Sequence, residues 1–126
     1  MNQKLLIVDD ESHIRMLIEQ TLEELEENGV EFFTAENGEQ ALEIIKTENP
    51  QLVFLDVMMP KMNGMEVCRR VKKELAIEGV YIILLTAKGQ EVDRLKGQEV
   101  GADVYMTKPF DPEALLNKAR EVLNLG

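Results

Sequence analysis

Five short apolar runs alternate with five amphipathic stretches, which predicts an α/β domain: a doubly wound, mostly parallel five-stranded sheet with helices on both faces. Three observations carry this. The runs Leu52–Leu55 and Val80–Leu85 are almost unbroken, the pattern of strands buried on both faces. The stretches between the runs repeat apolar residues at three- and four-residue spacing, the helical period. Gly, Asn and Pro fall at the junctions, where they stop helices and turn the chain.

In order, the first strand is expected at Lys4–Val8, ending in Asp9-Asp10. A helix from about Ser12 to Glu27 follows, with Ile14, Leu17, Ile18, Thr21, Leu22 and Leu25 inward and Asn28-Gly29 as its stop. Strand two is expected at Val30–Ala35, then a turn at Asn37-Gly38 and a helix over Glu39–Thr47 that ends before Pro50. Strand three, Leu52–Asp56, enters a loop punctuated by Pro60 and Gly64. The third helix runs from Gly64 to near Gly79, burying Val67, Cys68, Val71 and Leu75. Strand four covers Val80–Thr86. The fourth helix, about Glu91–Val100, has the weakest apolar stripe. A short strand at Val104–Met106, a Lys108-Pro109-Phe110 loop and a helix over Pro112–Leu123 with Pro at its start complete the pattern.

The bulk composition narrows the function classes. With 126 residues and 44% hydrophobic content, one core in one domain over residues 1–126 is expected. No apolar run is long enough to span a membrane, no secretory leader is evident, and the single Cys68 has no internal disulfide partner. A cytoplasmic location without membrane contact is the expectation. The net charge of −10 argues against direct nucleic-acid binding, whose affinity comes largely from Lys and Arg.

Strand ends carry the chemistry. In open parallel sheets ligands bind beyond the carboxyl ends of the strands, where strand order reverses. The polar residues there are Asp9, Asp10, Asp56, Thr86 and Lys108. Asp9 and Asp10 alone would serve the positive end of the first helix. A third converging carboxylate, Asp56, is better explained by a hard divalent ion such as Mg²⁺, with Asp10 and Asp56 as direct ligands and Asp9 acting through water. Thr86 and Lys108, each unremarkable singly, add a hydroxyl and a cation around one carboxylate. A phosphoryl group's oxygens need that set.

The same residues carry a family resemblance. Val8-Asp9-Asp10-Glu11, Ala35-Glu36-Asn37-Gly38-Glu39-Gln40-Ala41-Leu42, Leu55-Asp56-Val57-Met58-Met59-Pro60, Asn63-Gly64, Leu85-Thr86-Ala87, Gly101-Ala102-Asp103 and Lys108-Pro109-Phe110 occur in one order across nearly the whole chain. In this the chain resembles the receiver domains of two-component response regulators, the single-domain chemotaxis regulator among them. The resemblance implies a flavodoxin-like fold with strand order 2-1-3-4-5. It implies that Asp56 is the nucleophile taking a phosphoryl group from a sensor histidine kinase or a histidine phosphotransfer protein. Asp10, Asp56 and the Met58 backbone carbonyl would hold Mg²⁺, with Asp9 supporting; Lys108 would pair with phosphoryl oxygens. Thr86 would move onto the phosphoryl group, Ala87 leaving room, and Tyr105 would turn inward as the aromatic switch. The surface of the fourth helix, fifth strand and fifth helix would then report the change to a downstream protein target.

On this reading the chain is no enzyme in the usual sense, although it accelerates its own phosphorylation and dephosphorylation. The alternative is a phosphorylation-independent interaction module on the same fold. A haloacid-dehalogenase-type phosphatase would need a second Asp where Met58 stands, and a flavodoxin-like FMN carrier would need a Ser/Thr/Gly-rich loop where Asp9-Asp10-Glu11 stands. Positions 58 and 88 tune phosphoryl lifetime in the family; Met58 cannot help position an attacking water, so slow hydrolysis is expected. The chain reads as a stand-alone regulator or a receiver from a longer protein, monomeric or a weak phosphorylation-dependent dimer. The Asp93-Arg94 neighbourhood favours the dimer, and Val104, in place of an acid, counts against it. His13, the basic patch Arg69, Arg70, Lys72 and Lys73, and the acids Glu23, Glu24, Glu26 and Glu27 are read as solvated. Cys68 is read as core, and Met58, Met59, Met62 and Met65 as loop packing.

Overall fold

The computed structural model describes residues 2–87 and 99–125; the predicted fourth helix, apart from its last two residues, lies outside them, as do Lys88, Asp93 and Arg94. The elements are β1 (Lys4–Val8), α1 (Ser12–Thr21), α2 (Glu23–Glu27), β2 (Glu31–Ala35), α3 (Gly38–Glu48), β3 (Leu52–Asp56), α4 (Gly64–Arg69) continuing into a π-helical turn (Arg70–Glu74), β4 (Tyr81–Ala87), β5 (Val104–Lys108) and α5 (Pro112–Leu123). The five strands form one parallel sheet in the order β2-β1-β3-β4-β5, the expected flavodoxin-like arrangement.

Strand alternation divides the core into two layers. Leu6, Val8, Val53, Leu55, Ile82 and Leu84 face α3 and α4, where Ala41, Ile45, Val67, Cys68 and Val71 close over them. Leu5, Ile7, Leu52, Phe54, Ile83 and Leu85 face the other way, against Ile18, Leu22, Leu25, Leu115, Ala119 and Leu123. The inner strands are buried on both sides, so a charge at their ends is stranded unless something answers it.

Side-chain caps set several helix starts. Asn37, Asn63 and Asp111 each accept a backbone N–H of the first turn, and Pro112 opens α5. Other expectations need correction. The first helix is not continuous to Glu27: it breaks at Leu22, which caps α1 and stays fully buried, while Leu17 is exposed. Ile14, Ile18, Leu22 and Leu25 make one stripe, and Leu17 falls beside it. The third helix ends at Glu74, short of Gly79, because its last turn widens: Leu75 N–H reaches Arg70 O instead of the residue four back. That extra residue rotates Leu75 out to solvent.

The predicted basic patch on the third helix is largely tied down. Arg69 and Arg70 pair with Glu66, and Lys72 bridges Asp103 at 2.8 Å and the Val80 carbonyl. Asp103 also accepts the Ile82 N–H at 2.8 Å, fixing the entry to β5. Finally, β5 runs two residues further than expected, so Lys108 ends a strand and does not sit in a loop. That extension aims it at its neighbours' ends.

Candidate functional site

Register gathers the predicted residues at the carboxyl edge of the sheet. Val8 pairs with Leu55, so Asp9 follows β1 level with Asp56, the last residue of β3. Asp56 continues the alternation of Leu52 and Phe54, and Lys108 that of Val104 and Met106, toward the same layer. Lys108 Nζ donates to Asp56 Oδ1 at 3.0 Å and to Asp9 Oδ2 at 3.2 Å. One cation thus ties together the ends of three strands, across 99 and 52 positions of sequence.

Both aspartates are buried, Asp56 to 3% exposure. Burial and then the neighbouring Asp9 push the Asp56 carboxyl up from 3.8 to about 6, against the hydrogen bond and charge of Lys108 and the Met58 backbone N–H. Burial alone would lower Lys108, but its hydrogen bond to Asp56 and the charges of Asp56 and Asp9 outweigh that and raise it. The pair is therefore an ammonium facing a carboxylate that one cation does not fully settle.

The β3–α4 loop begins in tight backbone contact with the site. Val57 N–H donates to Leu85 O, and Gly64 N–H returns to Val57 O at 3.0 Å. A Cβ on Gly64 would stand 2.2 Å from the Asp56 carbonyl oxygen. Met62 N–H reaches Pro60 O at 2.8 Å around Lys61, whose φ of 69° makes this a γ-turn in a conformation side chains disfavour. Met58 leaves its side chain 64% exposed.

Asp9, Asp10 and Glu11 each place a carboxylate oxygen within 4.8 Å of the others. Asp9 is held twice more: Glu11 N–H donates to its Oδ1 at 2.9 Å, and the Arg15 guanidinium donates to its backbone carbonyl at 2.6 Å. The donor set suits a hard divalent ion. It is all oxygen, Asp10 is open to solvent, and Asp9 and Asp56 share the Lys108 ammonium.

Of the predicted residues, Asp9 and Asp56 each contact Lys108, and Asp10 adjoins Asp9 in sequence and in space. Thr86 is buried at the end of β4, one strand over, continuing Ile82 and Leu84 toward the α3/α4 layer. Tyr105 pairs in register with Leu84 and packs half-buried in that same layer. Thr86 and Tyr105 therefore share a face and stand on adjacent strands, with Thr107 opposite Thr86. His13 is exposed beside Glu11, and Cys68 is buried, its thiol pushed up to about 12 by that burial. Sequence reasoning missed Arg15. A cation in the first turn of a helix opposes the dipole, and that misfit was the available sign of a specific partner.

Residues 5–120 match the family model described as the response regulator receiver domain. The chain is 43% identical to the alkaline phosphatase synthesis transcriptional regulatory protein PhoP of Bacillus subtilis, over 98% of this chain and 49% of that protein. It is 49% identical to the probable transcriptional regulator ycf27 of Porphyra purpurea, over 96% of this chain and 47% of that one. The chain thus spans about half the length of the curated relatives it matches. Among solved structures, the BeF3-activated DrrB receiver domain superposes with a TM-score of 0.84 at 36% identity, covering 98% of this chain and 99% of that one. A CheY-like response regulator receiver domain protein from Methanospirillum hungatei gives 0.86 at 30% identity, covering 98% and 95%.

Proposed function

The chain belongs to the response regulator receiver domain family, and from that premise we propose that Asp56 is its phosphoacceptor. The phosphoryl donor is the phosphohistidine of a sensor histidine kinase or a histidine phosphotransfer protein. The observation that carries this is the buried Asp56 sharing Lys108 with Asp9 at the carboxyl edge of the sheet. A structural ion pair needs one carboxylate. Here a second acid, Asp9, is packed against the same ammonium and adds to the burial that holds the Asp56 carboxyl up at about 6.

Each residue has a task. An Asp56 oxygen forms the new O–P bond as the donor's P–N bond breaks and the leaving imidazole takes up a proton. Lys108 keeps Asp56 oriented through Oδ1 and offers its ammonium to the incoming phosphoryl oxygens. The Met58 N–H and the Gly64 contact hold the backbone around Asp56 still. Asp10, Asp56 and the Met58 carbonyl would hold Mg²⁺, with Asp9 placed through water and by its bonds to Glu11 and Arg15. When bound, Mg²⁺ supplies positive charge to phosphoryl oxygens, offsetting the excess of carboxylate.

The phosphoryl group then draws the Thr86 hydroxyl toward the strand ends, and Tyr105, on the same face, follows it inward. The surface around β5 and α5 passes this change to a downstream protein in the cytoplasm, with no direct nucleic-acid or membrane contact by this unit. The whole of 1–126 acts as one receiver, monomeric or weakly dimeric when phosphorylated. Acetyl phosphate tests the reading: intact mass is expected to show one phosphoryl adduct with Mg²⁺, none with chelator and none in Asp56→Asn. An adduct that persists in Asp56→Asn refutes it. No adduct from acetyl phosphate or from any phosphohistidine donor favours the phosphorylation-independent module.

A further inference from the structure

We propose that Met58 is an oxidation site: oxidants of the peroxide class convert its thioether to the sulfoxide, which shortens the lifetime of the phosphoryl group on Asp56. This rests on Asp56 being the phosphoacceptor. Met58 stands two residues past Asp56 and is anchored to it, since its backbone N–H donates to the Asp56 carboxylate. Its side chain is 64% exposed, the most open large apolar side chain among the described residues. Met59, Met62 and Met65 lie partly buried against the α3/α4 layer, and Met106 against the other. Among the described residues only Met16, on α1, is comparably open at 58%, and it flanks neither Asp56 nor Lys108 in the sequence. Among the described methionines, exposure beside the Asp56 carboxylate is therefore particular to Met58. No packing role accounts for it.

The chemistry is a two-electron oxygen transfer. The sulfur lone pair attacks a peroxide oxygen, the O–O bond breaks, an S–O bond forms, and the other oxygen leaves as water after a proton shift. The product replaces a weak acceptor with a strongly polar S=O, a firm hydrogen-bond acceptor. Hydrolysis of an aspartyl phosphate needs water on the exposed side of the phosphoryl group. A thioether orients such a water poorly, and a sulfoxide accepts from it. The site is also reversible, because sulfoxide reductases restore the thioether.

The experiment uses the Met16→Leu protein, so that the other methionine exposed among the described residues is absent. It is treated with dilute hydrogen peroxide and mapped by peptide mass, then phosphorylated with acetyl phosphate and Mg²⁺ and freed of donor to follow loss of the adduct. The expected result is sulfoxide at Met58 ahead of Met59, Met62, Met65 and Met106, with decay accelerated severalfold. Met16→Leu/Met58→Leu should be insensitive to peroxide, and Met58→Gln should decay fast without it. Slow oxidation at Met58, or quantitative sulfoxide with unchanged decay, overturns the proposal and leaves Asp56 as phosphoacceptor untouched. An untreated protein that forms no adduct refutes the phosphoacceptor reading itself, and this one with it.

Discussion

Replacing Asp56 by Asn should stabilise the metal-free protein. The Asp56 carboxyl is held at about 6 in the fold against 3.8 for the free group, so the native state binds its proton more tightly than the unfolded state does. Stability contributed by that bound proton is fully present below pH 3.8 and is lost as pH rises through about 6. At about 1.4 kcal/mol for each tenfold change, the distance from 3.8 to about 6 amounts to a loss on the order of 3 kcal/mol. Asparagine carries no such titration, yet its side-chain oxygen still accepts from Lys108, which keeps Asp9 as its ion partner. Urea unfolding of wild type and Asp56→Asn, followed by far-ultraviolet circular dichroism in chelator across mildly acid to mildly alkaline buffers, measures the difference. The mutant should be more stable above neutrality, with the gap narrowing as pH falls through 6. Mg²⁺ should close the gap by stabilising wild type alone. A gap that does not change with pH, or a mutant less stable above neutrality, refutes the claim that Asp56 is held ionised at a net cost.

Other outcomes follow from single contacts. Gly64→Ala would drive a Cβ to 2.2 Å from the Asp56 carbonyl oxygen, so it should cost about 2 kcal/mol in urea unfolding and slow acetyl phosphate labelling. Met58→Asn, which supplies an amide where the thioether stands, should speed decay of the phosphoprotein; unchanged or slower decay contradicts that role for position 58. Cys68, buried with its thiol pushed up to about 12, should resist iodoacetamide in the native state and react once urea unfolds the chain. Labelling of the native protein at the unfolded rate would place that thiol outside the core.

Much of this architecture was legible because burial writes itself into strands. Leu52–Leu55 can only sit inside a sheet covered on both faces, and the acid that closes the run is conspicuous for that reason. The helix starts near Gly38, Gly64 and Pro112 were equally plain, although the caps that set them, Asn37, Asn63 and Asp111, were not singled out. What failed depends on geometry that no local pattern carries. The π-helical turn that exposes Leu75 and the break at Leu22 come from how whole helices seat on the sheet. The last residues of β5, Thr107 and Lys108, are polar and lie at a sheet edge, so no apolar alternation announced them. At the site, the residue types were readable. The sharing of Lys108 by Asp9 and Asp56 emerged only from strand register, and the Arg15 bond to the Asp9 carbonyl only from the fold of the β1–α1 loop.

The central claim is that a phosphoryl group resides on Asp56. Borohydride reduction tests it most directly, because it converts an aspartyl phosphate to homoserine and leaves free carboxylates alone. After phosphorylation in Mg²⁺ and reduction, peptide sequencing by mass should find homoserine at position 56 and at no other aspartate. Homoserine at Asp9, Asp10 or elsewhere, or none from a protein whose mass shows the adduct, would contradict it.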